Sequence, residues 1–440
     1  MSRIADIAAV LDGYDPHALS VSAVQAFLAH LVAPAVVSAR EDVGVRDALG
    51  RVLAEDIVSP VSVPPHDNSA MDGFAFDGAI LRDDARTDES IELRVVGTAL
   101  AGAAGRGAIG SGEAVRIMTG AVMPAGLDTV VPQEFCKVDG ERVSFPAKVL
   151  RRGDNRRFAG EDLMQGHPAL KRGERLSPAA LGMVASLGLP SVTAFKRLRV
   201  AYFSTGDEIL SLGDAPREGA VYDSNRYTVF GLLTRLGCEV IDLGLVRDDP
   251  ATLAATLKRA ATEADAIITS GGVSVGAADH TRAVMQQLGD MAFWRVAMRP
   301  GRPLAVGLIQ REAASPSQPG AAVLFGLPGN PVAVMVTFLA FVRPALLRMM
   351  GCHEIAAAPA PLLRARSASA IRKKPGRTEY QRGFVTAVAG ALPEVRIAGN
   401  QGSGVLSSMV EANGLVVLHH DQANVAAGDE VDVMMFEGAI

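Results

Sequence analysis

From Arg197 to about residue 350, apolar strand-like runs alternate with helical ones, and this alternation limits the possible folds more than any other feature of the chain. "LRVAYFS", "CEVIDLG", "DAIITSGG" and "AVLFGL" read as strands, and "SNRYTVFGLLTRLG", "DPATLAATLKRAATEA" and "HTRAVMQQLG" read as helices. "AFWRVAM" and "PLAVGLI" add two further strands. Gly237 ends the first helix, and Asp249 followed by Pro250 starts the second. Parallel strands need crossover connections, so the pattern implies a doubly wound α/β domain with a largely parallel sheet. Such a sheet binds its ligand outside the C-terminal ends of its strands.

Four polar loops fall at that edge: "STGDEI", "RDDP", "SGGVSVGAADH" and "GLPGNP". They bring Glu208, Asp248 and Asp279 toward one crevice. Carboxylates beside glycine turns and helix N-termini suit a Mg²⁺ ion carrying phosphate or oxyanion groups. Each acid could instead cap a helix, and for Asp249 that is the expected role.

"GVSVG", Gly272 to Gly276, matches the turn that presents a serine nucleophile. A serine hydrolase using Ser274 is therefore one alternative. That turn needs a later acid and a later histidine, and His280 lies in the same loop-helix unit. The preferred reading is a turn whose glycines, Gly271 and Gly272, let backbone approach a ligand, with Ser270 and Ser274 as donors. "GRGAIG", Gly105 to Gly110, lacks the strand-turn-helix context of a dinucleotide fingerprint.

"FWRVAMRPGR" carries Arg295, Arg299 and Arg302 with no acid. Read as one strand, it places Arg295 and Arg299 on the same side, as an anion grip or as a solvated edge. Trp294 points the other way, into the core. "AIRKKPGRTEYQRG", Ala370 to Gly383, is a second basic loop. In "PPHDNSAMDGFAFD", Asp72 is a turn former or a site residue.

The 440 residues are too many for one core and suggest several domains. Residues 1–20 read as a loose tail. Residues 21–65 and 151–196 read as a discontinuous, helical and mixed domain I, and 66–150 as a β-rich insertion, domain II. Residues 197–350 form the α/β domain III, and 358–440 a small C-terminal β domain IV. The net charge of −5 gives no reason to expect nucleic acid or an anionic membrane as partner. The three cysteines are scattered, which fits a reduced, cytoplasmic protein without a zinc site. The N-terminal stretch has acids within its apolar part and does not read as a secretory signal. The apolar run Pro331 to Val342 is too short to span a bilayer and reads as a buried helix.

"DNSAMDGFA", "RIMTGA", "AGED", "STGDE", "YDSNR", "RDDP", "SGGVSVGAAD", "MRPGRP" and "GLPGNPV" occur in this order. Together they resemble the MoeA family of molybdopterin molybdenumtransferases, relatives of the gephyrin E domain, over nearly the whole chain. The resemblance implies a homodimer of four-domain subunits with a molybdopterin-binding domain III. It implies insertion of molybdenum from molybdate into adenylylated molybdopterin, with Mg²⁺ and release of AMP. It also implies a cleft near the dimer interface and a possible encounter with the adenylyltransferase of the same pathway. By motif, the implied acids are Asp72, Asp162, Glu208, Asp248 and Asp279, with Glu208, Asp248 and Asp279 at the metal. Thr119, Pro328, Pro331, Arg382 and Ser403 match as ligand-binding positions, and the Gly271–Gly276 turn is expected to hold the pterin phosphate. Arginines stand at 295, 299 and 302 where lysines are usual in the family. A gephyrin-like, non-catalytic scaffold is the other alternative.

Overall fold

A computed structural model describes residues 2–11, 14–81, 89–102, 109–272, 279–311, 320–355 and 357–439. The chain forms two compact units. The first comprises Met1–Glu55, Arg172–Ser177 and Ser191–Ile440, and the second Asp56–Lys171 and Pro178–Pro190.

At the centre of the first unit, β1 (Arg199–Thr205), β2 (Glu239–Val246), β3 (Ala266–Ser270), β4 (Gly289–Arg295), β5 (Pro303–Gln310) and β6 (Ala321–Leu327) form a six-stranded sheet in the order β2-β1-β3-β6-β5-β4. The pairs β1–β2, β1–β3 and β3–β6 are parallel, and the last two strands run antiparallel. The register aligns Ser204, Ser270 and Leu327 across three strands. Their following loops therefore leave the sheet at one level.

Side chains alternate between two cores. Val200, Tyr202, Ile268 and Phe325 pack with α1 (Ser224–Leu236), while Ala201, Phe203, Ile267 and Leu324 pack with α2 (Pro250–Glu263) and α3 (Asp279–Leu288). Burial on both faces is why these strands read as nearly continuous apolar runs. Gly237 closes α1 at φ 94°, a conformation that costs glycine little.

The apolar run after β6 is longer than its sequence suggested. α4 (Pro331–Thr337) continues through a π turn into Arg343–Met349, a 19-residue helix long and apolar enough to cross a membrane. It is 78% buried within the protein, as expected for a core helix. Pro344 has no N–H to give the Ala340 carbonyl, and Gln25 Nε2 donates to that oxygen at 3.1 Å.

Two expectations need correction. The first 20 residues are not a loose tail: Arg3–Val10 is a helix with Ile4 and Ile7 buried. Ser2 Oγ donates to Asp290 Oδ1 at 2.7 Å, and Ile4 N to Asp290 Oδ2 at 3.0 Å. The carboxylate that anchors the helix start lies at the beginning of β4, so no local pattern reveals it.

Nor is "FWRVAM" one strand. β4 ends at Arg295, and Met298–Arg299 pairs in parallel with Thr378–Glu379 in the C-terminal sheet. The N–H of Val296 donates to Arg302 O and that of Ala297 to Leu19 O, so the chain leaves the α/β sheet there. The shared parity of Arg295 and Arg299 does not survive this break. Trp294 is core as expected, edge-on to Phe27 at 4.8 Å and donating to Tyr14 Oη at 2.8 Å.

In the C-terminal sheet, Thr378–Thr386, Glu394–Ile397, Leu363–Ser367, Glu430–Met435 and Gly414–Leu418 close on themselves as a small barrel. The second unit is built on a six-stranded sheet running from Gly73 to Pro146, with apolar clusters around Val130 and around Phe76.

Candidate functional site

At the C-terminal edge of the α/β sheet lies a cavity of about 660 Å³. Thr205, Gly206 and Glu208 enter it from the loop after β1, Asp248 from the loop after β2, and Gly271 and Gly272 from the turn after β3. Pro328–Asn330 follow β6, Arg299–Pro303 lead into β5, and Gln401–Ser403 come from the barrel. Glu208 and Asp248 thus line one cavity with Arg299 and Arg302, and glycines form part of its wall.

Each group is there for a local reason. Glu208 folds back over Gly206, where a Cβ would lie 2.8 Å from Glu208 Oε2. Gly271 and Gly272 have φ of 87° and 66°. A Cβ on Gly271 would meet Thr205 O at 2.3 Å, so only glycine lets this turn lie against the loop after β1. Asp248 Oδ1 accepts from Thr281 Oγ1 at 3.0 Å and from Thr205 Oγ1 at 3.4 Å. Its neighbour Asp249 caps α2 as expected, accepting from Thr252 N and Oγ1 at 2.8 and 2.7 Å. The hydroxyl and backbone N–H of Thr252 hold the Asp249 carboxyl below its ordinary pKa. Adjacent acids therefore do different work: one caps a helix, the other lines the cavity.

The other anticipated residues separate. Ser270 is only 2% exposed, and its hydroxyl shares hydrogen bonds with Tyr202 and Ser204 inside the fold. Arg299 and Arg302 line the cavity, whereas Arg295 is exposed on the edge strand β4. Arg382 is 1% exposed. Its Nη2 donates to Asn400 O and Gly402 O at 3.1 and 2.9 Å, and its Nε to Ser408 Oγ at 2.9 Å. It braces the loop that carries Gln401 and Ser403. Burial, with the charge of Arg299 nearby, draws its pKa below the ordinary value. Pro331 opens α4, and Pro328 and Ser403 are in the cavity wall.

Asp279 is the first residue of α3, and its side chain, like Ser274, lies outside the described residues. In the second unit, Asp72 Oδ1 accepts from Thr119 N at 2.7 Å and Thr119 Oγ1 at 2.8 Å. These bonds, the backbone one foremost, lower the Asp72 pKa. Asp162 is exposed, and its N–H donates to Val63 O at 3.0 Å.

Sequence reasoning passed over Thr281, Asn330, Gln401 and Asn225. Asn225 lies within "YDSNR" and at the start of the helix that follows, and its Nδ2 donates to Gly329 O at 2.7 Å in the cavity wall.

Among the described residues, no three His, Cys, Asp or Glu side chains gather as a metal-binding group. Glu208 and Asp248, with hydroxyls and backbone around them, still fit Mg²⁺. That ion takes one or two protein carboxylates and completes its shell with water and phosphate. A second cavity of about 660 Å³ lies at the opposite edge of the sheet, and its arginines are already engaged. Arg51 bonds Glu41 and Phe195 O, Arg197 bonds Gly237 O, and Arg199 bonds Asp265.

A doubly wound sheet whose strand ends meet carboxylates, glycine turns and arginines defines an α/β protein with a cavity suited to phosphate or oxyanion ligands. Comparison with known proteins narrows this. Family models match residues 19–188 as the MoeA N-terminal region (domains I and II), 201–348 as a probable molybdopterin binding domain, and 364–436 as the MoeA C-terminal region (domain IV). A Haemophilus influenzae molybdopterin molybdenumtransferase is 38% identical over 396 residues, covering 90% of this chain and 94% of its own. One from Nostoc is 35% identical over 389 residues, covering 88% and 86%. The crystal structure of the molybdopterin biosynthesis MoeA protein from Pyrococcus horikoshii superposes with a TM-score of 0.75 at 26% identity, covering 95% of this chain and 100% of that one. The chain belongs to the MoeA family.

Proposed function

We propose that the protein is a molybdopterin molybdenumtransferase of molybdenum cofactor biosynthesis. It takes adenylylated molybdopterin and molybdate, places molybdenum in the dithiolene, and releases AMP as the phosphoanhydride is cleaved. The observation that carries the reading is the cavity at the strand ends, where Glu208 and Asp248 share one space with Arg299 and Arg302. The relatives' names point the same way.

Glu208 and Asp248 would hold Mg²⁺, with Asp279 as the third acid. A Mg²⁺ ion held by them would supply charge neutralisation at the phosphates, which favours phosphoanhydride cleavage. Thr281 and Thr205 orient the Asp248 carboxylate by their hydroxyl bonds. The Gly271–Gly272 turn lets backbone N–H groups reach phosphate oxygens. Arg299 and Arg302 attract and orient the tetrahedral oxyanion through fork-shaped donor pairs. Arg382 keeps the Gln401–Ser403 loop in place. Asp72, Thr119 and Asp162 are assigned to the same reaction through their family motifs. We assign the protein to the cytoplasm, as a homodimer receiving its substrate from the adenylyltransferase of the pathway.

Purified protein, adenylylated molybdopterin, Mg²⁺ and either molybdate or tungstate should activate a cofactor-free molybdoenzyme, with one AMP released per cofactor formed. Activation that is unchanged when the oxyanion or Mg²⁺ is left out would sink the proposal.

A further inference from the structure

We propose that Asn225 is a positioning residue, setting the Pro328–Gly329–Asn330 wall of the cavity through its bond to the Gly329 carbonyl. This deepens the proposed function and rests on it only for the identity of the ligand.

Asn225 is the second residue of α1 and is 7% exposed. The start of α1 is fixed by its surroundings. Asp223 caps it, accepting from Arg226 N at 3.1 Å, and Arg226 Nε is 2.9 Å from both carboxylate oxygens of Asp242 in β2. From this anchored turn, Asn225 Nδ2 reaches Gly329 O at 2.7 Å. The amide nitrogen must face that carbonyl, because a carbonyl only accepts.

The other half of the side chain is the unusual part. Asn225 Oδ1 is buried and has no hydrogen-bond partner. Leaving a buried acceptor unpaired is costly, so the residue is a poor choice for packing alone. What it supplies is a donor to the Gly329 carbonyl.

Among the described residues the wall has few other tethers. Asn330 starts α4 without making a side-chain capping bond, its carbonyl accepts from Val334 N at 3.0 Å, and Val332 N donates to Ser403 O at 3.1 Å. Gly329 also abuts the opposite turn: a Cβ on it would lie 3.9 Å from Gly271 Cα. The two segments are joined by the bond from Gly271 N to Leu327 O at 3.2 Å.

The test compares wild type with Asn225→Ala and Asn225→Asp. In Asn225→Ala, KM for adenylylated molybdopterin should rise roughly tenfold, the scale of one lost hydrogen bond with its carbonyl left unpaired, while kcat changes less. Asn225→Asp keeps the size but cannot donate when ionised, so it should be at least as impaired at neutral pH. As pH falls its carboxyl gains a proton and can donate to Gly329 O, so its kcat/KM relative to wild type should recover. A role in folding alone would not produce that recovery. Hydrogen exchange of the Gly329 and Asn330 amides, measured without ligand, should be faster in Asn225→Ala. This readout stands even if wild type does not turn over adenylylated molybdopterin, which would count against the proposed function and not against this role. A wild-type KM in Asn225→Ala, a pH-independent ratio for Asn225→Asp, or unchanged exchange would overturn the proposal.

Discussion

Asp72 and Thr119 form a polar pair in the second unit. Two bonds from Thr119 lower the Asp72 pKa from its ordinary 3.8. A carboxylate with a depressed folded-state pKa contributes stability above its unfolded value, and that contribution fades as pH falls through the lowered pKa. Thr119→Val removes the hydroxyl and keeps the N–H. The Asp72 pKa, followed by carboxyl NMR titration, should rise only part of the way to 3.8. No change would mean that the hydroxyl does not face the carboxylate. Gly271 is the sharper single position. Gly271→Ala forces a Cβ against Thr205 O at 2.3 Å and holds alanine at φ 87°. Left-handed strain costs on the order of 1–3 kcal/mol. The melting temperature should fall by several degrees and ligand binding should weaken with it. An unchanged melt would contradict this backbone geometry.

At the scale of elements, neighbouring residues Asp248 and Asp249 give a clean separation. Asp249→Ala removes the α2 cap, and stability should drop by about 1 kcal/mol in denaturant unfolding with ligand binding kept. Asp248→Ala should do the reverse. Loss of binding in Asp249→Ala at unchanged stability would invert the assignment. Both roles could be anticipated, because a cap is written in adjacent residues: Asp249, Pro250, Thr252. The same holds for Gly237 at the end of α1 and for the apolar strands around Tyr202 and Ile268. Local pattern failed where a partner lies far along the chain. The break after Arg295 depends on Leu19, Arg302 and Thr378, none of which is encoded within "FWRVAM". The motif around Arg382 marks a ligand-binding position but does not reveal that its Nη2 braces a loop some twenty residues downstream. Ser270 reads as a donor to ligand, but its buried hydroxyl is paired with that of Tyr202 on the neighbouring strand.

Across the whole molecule, the cavity is assembled from segments spread over some two hundred residues of the first unit, from Thr205 to Ser403. The sheet register brings the loops after β1, β2, β3 and β6 level, and the barrel adds Gln401–Ser403. That the strand-end loops would meet was legible in the α/β alternation. That a loop of the C-terminal barrel would complete the wall is not legible in that alternation, and only the family motif points to Ser403 there. Under the proposed function, this cavity processes adenylylated molybdopterin in a Mg²⁺-dependent reaction. The direct measurement is AMP release by purified wild type and Asp248→Asn, with molybdate and Mg²⁺ present. Wild type should release AMP, and Asp248→Asn should be slower by roughly 10–100-fold, with its melting temperature retained. Full turnover by Asp248→Asn beside an active wild type would contradict the account.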